Sequence, residues 1–234
     1  SMGLAGVLSE FGKKILLIDM DQQGNLSSAF LDNIHGLERT VFDLLIEEAE
    51  ISQVLYKTQI DNIDILPANL ALSDLDIRLA GDDDAQYYLL EALQEIDANY
   101  DYIIIDCPPS LGLLTINALS CSDQLLIPLQ CEYYALEGLS QLLSTFKLVQ
   151  GNLNAKLGVE GVLLTMYDGR TNLSAQVAEE ARSYFGDKVY QTVISRSVRL
   201  SEAPSHGVPG IFYDQKARGA EEYQAFAEEF LSKQ

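Results

Sequence analysis

The sequence has no tryptophan and only three cysteines. Cys107, Cys121 and Cys131 do not have metal-ligand spacing, and their number is odd. Such cysteines are more typical of reduced thiols than of a disulfide framework. Because thiols stay reduced inside the cell, we predict a cytoplasmic protein.

The sequence also lacks any long hydrophobic run. No apolar stretch approaches the ~20 residues that a membrane span needs, and no secretory signal pattern is present. The last predicted helix, over 217–231, carries four glutamates, which are Glu221, Glu222, Glu228 and Glu229. An acidic helix is a poor membrane anchor, so we expect no membrane partner.

Basic residues are scarce, with 15 lysines and arginines against 35 acidic residues and a net charge of −20. Such a surface favours basic partners and repels nucleic acid at long range. Residues 188–218 are the exception, since five basic and two acidic residues give this segment +3. Phosphate contacts made there would be salt-sensitive and independent of base sequence. An ordinary local fluctuation of surface charge is the alternative.

The strongest pattern in the chain is a pair of short apolar runs that each end in aspartate, Ile15–Asp19 and Tyr102–Asp106. Runs of this kind predict strands that are buried on both faces of a parallel sheet. Ligands bind at the carboxyl ends of such strands, so we expect Asp19, Asp21 and Asp106 to face one crevice. Carboxylates there can hold Mg²⁺ through water or orient a water toward a phosphoryl group. Alternatively, the acids simply end a strand and cap the next helix.

Strands and helices alternate along the whole chain, which predicts an α/β fold with a doubly wound, mostly parallel sheet and helices on both faces. No repeat, linker or low-complexity tract interrupts this pattern, and we therefore predict that 1–234 is a single domain. Further strands are predicted over 63–66, 124–128, 161–165 and 189–194. Helices are predicted over 3–11, 26–30, 40–50, 70–79, 85–96, 112–119, 134–149, 173–185 and 217–231.

A phosphate-binding loop of the form Gly-x4-Gly-Lys-[Ser/Thr] is absent from the sequence. The nearest match is Gly12-Lys13, but Val7 stands where the motif needs glycine and Lys14 stands where it needs Ser or Thr. This segment also precedes a strand, whereas a phosphate loop follows one. We interpret Gly12 as a helix C-cap.

Four segments resemble the ParA/Soj family of chromosome- and plasmid-partitioning ATPases, which are deviant Walker P-loop ATPases. They are Leu16–Asn25, Ile103–Gly112, Pro128–Leu139 and Val198–Gly207. The resemblance runs from Leu4 to Tyr223 and is strongest to the chromosomal, Soj-like branch. It implies a P-loop NTPase-like fold that binds ATP and Mg²⁺ and forms a homodimer. It also implies non-specific DNA binding, nucleoid association and a ParB/Spo0J-type partner that stimulates hydrolysis.

The resemblance assigns roles to individual residues. Asp21 matches the catalytic acid that orients the hydrolytic water. Asp19 and Asp106 match the acids around the Mg²⁺ shell, so all three aspartates belong to the cofactor site. The arginines that match the basic DNA-binding surface are Arg196, Arg199 and Arg218.

The departures from the family pattern lead to further expectations. The family's first strand and its phosphate loop should precede Gly3 but are absent, and Gln22 stands where the family usually has proline. Because backbone amides and a lysine neutralise the phosphates, we expect this chain to be deficient in ATP binding. A non-catalytic protein of the same fold that binds basic partner segments is the alternative.

The absent strand should lie next to the strand over 102–106. We therefore predict unpaired backbone groups along Ile103–Ile105, with dimerisation, strand rearrangement or an open crevice there. We also expect that the sheet does not run unbroken from Ile15 to Ile105.

Overall fold

A computed structural model describes residues 1–132 and 135–234, apart from the side chains of residues 35 and 135–137. The strands are Ile15–Asp19 (β1), Tyr56–Lys57 (β2), Ile63–Leu66 (β3), Tyr102–Asp106 (β4), Gln124–Gln130 (β5), Gly158–Tyr167 (β6) and Val189–Ser195 (β7). The α-helices are Met2–Glu10 (α1), Asn25–Ser28 (α2), Val41–Leu45 (α3), Ile51–Val54 (α4), Leu75–Arg78 (α5), Tyr88–Leu93 (α6), Leu113–Cys121 (α7), Ala135–Asn152 (α8), Asn172–Phe185 (α9), Val198–Glu202 (α10), Gly210–Tyr213 (α11) and Arg218–Ser232 (α12). Short 3₁₀ helices cover Ile34–Gly36, Leu70–Asp74, Asp97–Asn99, Gly186–Lys188 and Ala203–His206. Tyr134, the predicted first residue of the long helix, lies outside the described residues.

The strands form two sheets with parallel pairing almost throughout. The first sheet has the strand order β2-β3-β1-β4 and the second has the order β5-β6-β7. Every neighbouring pair is parallel except β2 and β3, which are antiparallel. The predicted mostly parallel α/β architecture is thus confirmed, with a division of the strands into two groups.

The two sheets are separated at the edge of β4 that faces away from β1. β1 and β4 pair along their whole length, from Ile15 with Tyr102 to Asp19 with Asp106. The expectation that the sheet is interrupted between Ile15 and Ile105 is therefore wrong, because the two apolar runs are equally long and lie directly side by side. Among the described residues no strand pairs with the other edge of β4, and a cavity of 1280 Å³ separates that edge from β5. Of β4, only Ile105 and Asp106 line this cavity, so an open crevice along the whole of Ile103–Ile105 stays a prediction.

Helices cover both faces of the first sheet, because successive side chains of a strand point to opposite faces. Ile15 and Leu17 pack into a core that includes residues of α1 and α12. Leu16 and Ile18 pack on the opposite face, in a core that includes residues of α3, α4 and α6. All four side chains are fully buried, and each contributes about 1.5–3 kcal/mol to stability through burial. β1 is therefore an interior strand of the sheet, covered on both faces and paired with β3 and β4.

Glycines allow α1 to approach the C-terminal elements closely. A Cβ at Gly3 would lie 2.5 Å from the ring of Tyr223, and one at Gly6 would lie 2.5 Å from Cβ of Pro209. The helix ends at Glu10, and Gly12, two residues later, has a φ of +74° in the left-handed region. This left-handed glycine at the helix end agrees with the predicted C-cap.

Candidate active site

The two apolar runs bring two carboxylates to the same edge of the sheet. Asp19 is the last residue of β1, Asp106 is the last residue of β4, and they are direct partners in the parallel register. Pro108 and Pro109 follow β4 closely, and proline cannot donate a ladder hydrogen bond. The structure therefore places Asp19 and Asp106 side by side at the carboxyl ends of the strands. Their roles in binding a cofactor or a metal stay predictions.

The carboxylate of Asp19 is completely buried. Its Oδ2 accepts hydrogen bonds from the backbone N–H of Ser27 at 2.8 Å and from the Ser27 hydroxyl at 2.7 Å. Its Oδ1 accepts the backbone N–H of Asp21 at 3.1 Å. Burial raises the pKa of Asp19, the hydrogen bonds from Ser27 and Asp21 oppose this rise, and the nearby Asp106 adds to it. A divalent cation beside Asp106 would relieve the repulsion between the two acids, so this donor set fits Mg²⁺.

Asp21 lies in the turn that follows β1. Its Oδ1 accepts the backbone N–H of Gln23 at 3.0 Å, and its carbonyl accepts the backbone N–H of Gly24 at 2.8 Å. Gly24 has a φ of +61°, which glycine adopts readily because it has no Cβ. Asp21 is half-buried, and the turn thus keeps it partly accessible at the edge where Asp19 and Asp106 meet.

The cavity between β4 and β5 borders this edge. Asp106 contributes to its wall, together with apolar residues of both strands and the charged residues Glu132, Asp168 and Arg196. The Arg170 guanidinium contacts both carboxylate oxygens of Asp168, at 2.9 Å and 2.7 Å, and lowers the pKa of this acid. The volume of 1280 Å³ is above the range of about 300–1,000 Å³ that is usual for ligand pockets. The acidic edge therefore borders a large gap at the open edge of β4, which is the position predicted for the absent strand.

Arg196, the first of the three arginines predicted to contact DNA, lines this cavity. Its guanidinium forms an ion pair with Glu132 at 2.8 Å. Both side chains are more than half exposed, and exposed ion pairs of this kind contribute only about 0–1 kcal/mol.

Arg199 and Arg218 lie on neighbouring helices. Arg199 on α10 pairs with Glu202 at 3.2 Å and with Asp214 at 3.7 Å, and Arg218 on α12 pairs with Glu222 at 2.7 Å. The two helices contact each other. The structure thus groups Arg199 with Arg218, places Arg196 at the cavity, and gives each arginine an acidic partner. Their contact with DNA stays a prediction.

Ser27 belongs to the site, although none of the sequence motifs identifies it. Its hydroxyl donates to Asp19 and accepts the backbone N–H of Ala68 at 2.8 Å. The available signal was a hydroxyl in the first turn of a helix after a strand, a position where serine often bonds to nearby groups. The partner Ala68 follows β3 and is 41 residues away, and no local pattern identifies such a contact.

Within residues 1–132 and 135–234, no group of three or more His, Cys, Asp and Glu side chains could hold a metal ion. Magnesium is usually held by one or two carboxylates plus water and substrate phosphates. Asp106 at the cavity wall is suited to such a site. The three cysteines form no disulfide. In the part of the chain that the structure describes, each helix is too short or too polar to cross a bilayer.

The fold and its acidic edge define an α/β protein of the P-loop ATPase type. Residues 1–159 match the family model described as "AAA domain". The structure superposes on cobyrinic acid a,c-diamide synthase from Mycobacterium smegmatis with bound ATP analog and magnesium, with a TM-score of 0.86 and 33% identity over 97% of this chain and 85% of that one.

Curated relatives narrow this class. The chain is 53% identical to the sporulation initiation inhibitor protein Soj of Bacillus subtilis over 229 residues, which cover 98% of this chain and 90% of the relative. It is 46% identical to the chromosome-partitioning ATPase Soj of Treponema pallidum, over 100% of this chain and 91% of the relative. The chain therefore belongs to the Soj/ParA family of chromosome-partitioning ATPases. The resemblance seen in the sequence motifs is confirmed.

Proposed function

We propose that this protein is a chromosome-partitioning ATPase that binds Mg²⁺-ATP at the carboxyl edge of β1 and β4. The direct pairing of Asp19 with Asp106, with Asp21 in the adjoining turn, carries the proposal. Asp106 holds Mg²⁺ through water, and the family resemblance also assigns Asp19 to the metal shell. Asp21 orients the water that attacks the terminal phosphoryl group. Catalysis of phosphoryl transfer depends mainly on such positioning and on charge neutralisation.

Residues 1–234 alone are deficient in ATP binding under this proposal. They contain no Gly-x4-Gly-Lys-[Ser/Thr] segment, and a triphosphate needs backbone amides and a lysine to balance its charge. The acids at the sheet edge repel the nucleotide when these groups are missing.

Calorimetry with Mg²⁺-ATP tests both statements. Residues 1–234 are compared with a longer chain that carries a Gly-x4-Gly-Lys-[Ser/Thr] segment ahead of them, which is called the full-length protein below. We expect weak or no binding by residues 1–234 and tight binding by the full-length protein. Tight binding by residues 1–234 would refute the deficiency, and no binding by the full-length protein would refute the proposed ATPase function.

The ATP-bound protein forms a homodimer that binds DNA without sequence preference through Arg196, Arg199 and Arg218. A ParB/Spo0J-type protein stimulates hydrolysis and releases the DNA, and the protein is cytoplasmic and associated with the nucleoid. The excess of basic residues over 188–218, in a chain of net charge −20, supports this placement. Two copies double the basic patch, which raises avidity for DNA.

Sedimentation and ATPase measurements test the assembly steps. The full-length protein should dimerise with ATP but not with ADP. Its hydrolysis rate should rise when a ParB-type protein from the same organism and DNA are both present. A monomer in saturating ATP would refute the dimer, and a rate that does not respond to the partner would refute the stimulation.

A second candidate function is that of a non-catalytic protein that binds basic partner segments. A depression of 360 Å³ between α3, α4 and α6 supports it, because five exposed glutamates line this surface, namely Glu47, Glu48, Glu50, Glu91 and Glu95. Glu48 is paired with Arg78 at 3.1 Å. This candidate predicts that residues 1–234 bind a lysine- and arginine-rich peptide without nucleotide. Equal binding by a variant in which Glu91 and Glu95 are glutamine would exclude this surface.

A further inference from the structure

The carboxylate of Asp19 is hydrogen-bonded to neighbouring protein groups rather than to solvent. The residue has no exposed surface. One carboxylate oxygen accepts two hydrogen bonds from Ser27 and the other accepts the amide of Asp21. A metal-bound water would have to reach a carboxylate that is closed off and already bonded at both oxygens.

Ser27 extends this connection to the next strand. Its side chain is fully buried, and its hydroxyl oxygen accepts the amide of Ala68 at 2.8 Å while its proton is donated to Asp19 at 2.7 Å. A continuous series of hydrogen bonds therefore runs from the turn after β1, through Asp19 and Ser27, to the residue that follows Pro67 at the end of β3. Buried polar networks in which each member is bonded hold their parts in a single arrangement.

The amide of Asp21 is at one end of this series. Asp21 is separated from β1 by Met20, whose backbone N–H is bonded to the carbonyl of Asp106 at 2.8 Å. The amide bond to Asp19 thus fixes the backbone of Asp21 relative to the strand end. A displacement of about 1 Å at a catalytic group can reduce a rate by as much as a hundredfold.

We propose that Asp19 and Ser27 are positioning residues that hold Asp21 in the geometry needed to orient water, and that Asp106 rather than Asp19 faces the magnesium ion. This inference rests on the proposed ATPase function. It replaces the metal-shell role that the family resemblance implies for Asp19.

The test uses the full-length protein defined above, with the substitutions Ser27→Ala and Asp19→Asn. Each should lower kcat for ATP hydrolysis at least about tenfold without a comparable rise in KM for ATP, since only the transition-state geometry is changed. The double variant should lose little more than either single variant, because the two residues act through the same contact. The Mg²⁺ concentration that gives half-maximal activity should stay unchanged in both.

Ser28→Ala is the matched control. Ser28 is an adjacent, exposed serine whose hydroxyl is bonded to the carbonyl of Asn25 at 3.0 Å. This variant should hydrolyse ATP like the wild type. Ser27→Thr retains the hydroxyl and should retain more activity than Ser27→Ala.

Two results would overturn the inference. One is a large increase in the Mg²⁺ requirement of Asp19→Asn that is not seen in Ser27→Ala, because this pattern identifies Asp19 as a metal-shell residue. The other is additive losses of activity in the double variant.

The exchange rate of the Asp21 amide tests the positioning role independently of ATPase activity. The amide of Asp21 should exchange at least about tenfold faster in Ser27→Ala than in the wild type or in Ser28→Ala. Unchanged exchange would overturn the inference. If the wild type has no ATPase activity, the proposed function fails, and the exchange measurement still tests the contact.

Discussion

The carboxylate of Glu222 accepts both the backbone N–H and the hydroxyl of Ser195, each at 2.7 Å. Two turns further along α12, Glu229 accepts the backbone N–H groups of Gln191 and Thr192, both at 2.9 Å. β7 pairs with β6 on one side, and in the described residues no strand pairs with its other side. The C-terminal helix therefore satisfies backbone donors of an edge strand, which also protects that edge against pairing with other chains.

The contact between Glu222 and Ser195 predicts a loss of stability in Glu222→Ala. Hydrogen bonds to a charged group contribute about 1.5–3 kcal/mol, and the Glu222 side chain is only 15% exposed. We expect the free energy of unfolding to fall by about 2 kcal/mol, measured by urea denaturation. Glu228→Ala is the control, since Glu228 is an exposed residue of the same helix, and it should leave the stability nearly unchanged. Equal stability of both variants would contradict the contact.

Glu229 predicts a stability that depends on pH. Burial alone would raise the pKa of Glu229, but hydrogen bonds from Gln191, Thr192 and Lys233 outweigh burial and lower it. A group with a lowered pKa in the folded state stabilises above its unfolded pKa of about 4.3 and loses this effect as the pH falls through the folded pKa. The stability difference between the wild type and Glu229→Gln should therefore be full at pH 7 and shrink below about pH 4. Urea denaturation at several pH values measures it, and a difference that is constant over this range would refute the contribution of the charge.

The arginines on α10 and α12 predict the salt dependence of DNA binding. In the ATP-bound full-length protein, Arg199→Ala and Arg218→Ala should each weaken binding to DNA of any sequence, and each should reduce the slope of log K against log salt by about 1. Arg78→Ala is the matched control, because Arg78 is equally an exposed arginine with one glutamate partner. Fluorescence anisotropy with two unrelated duplexes measures both effects. Loss of binding in Arg78→Ala equal to that in the other two variants would contradict a localised surface.

The pairing of Asp106 with Asp19 predicts opposite effects of Asp106→Asn on stability and on activity. Burial is the main cause of the raised pKa of Asp19, and without Mg²⁺ the substitution removes the smaller contribution of the Asp106 charge, so the melting temperature measured in EDTA should rise slightly. The gain in stability should not exceed about 1 kcal/mol, since Asp106 is only half-buried and nearby water weakens the effect of its charge. The ATPase activity of the full-length protein should be lost because the metal position is lost. A variant that remains active with an unchanged Mg²⁺ requirement would show that Asp106 does not hold the metal.

The sequence pattern predicts the positions of these strands well, but the predicted full burial of β4 is wrong, since each of its residues is half-buried beside the open edge. β1, β3 and β4 match their predicted bounds, because β1 and β4 are apolar runs that end in aspartate and β3 is closed by Pro67. β2 consists of two residues and is too short to show a period. The predicted helix over 40–50 ends at Leu45, since Glu47 adopts a φ of +57° and α4 starts anew at Ile51.

In the site, too, some features can be predicted from the sequence and others cannot. The positions of Asp19, Asp21 and Asp106 can be predicted because they follow from strand ends. The bond between Ser27 and Ala68 and the ion pair between Arg196 and Glu132 join residues that are 41 and 64 positions apart. Such contacts depend on tertiary packing, which one sequence does not display.

The most direct test of the proposed ATP site is a crystal structure of the full-length protein with Mg²⁺ and a non-hydrolysable ATP analogue. We expect magnesium beside Asp106, the terminal phosphate close to Asp21, and the nucleotide at the carboxyl edge of β1 and β4. A nucleotide bound at another edge of the sheet, or magnesium remote from Asp106, would contradict it.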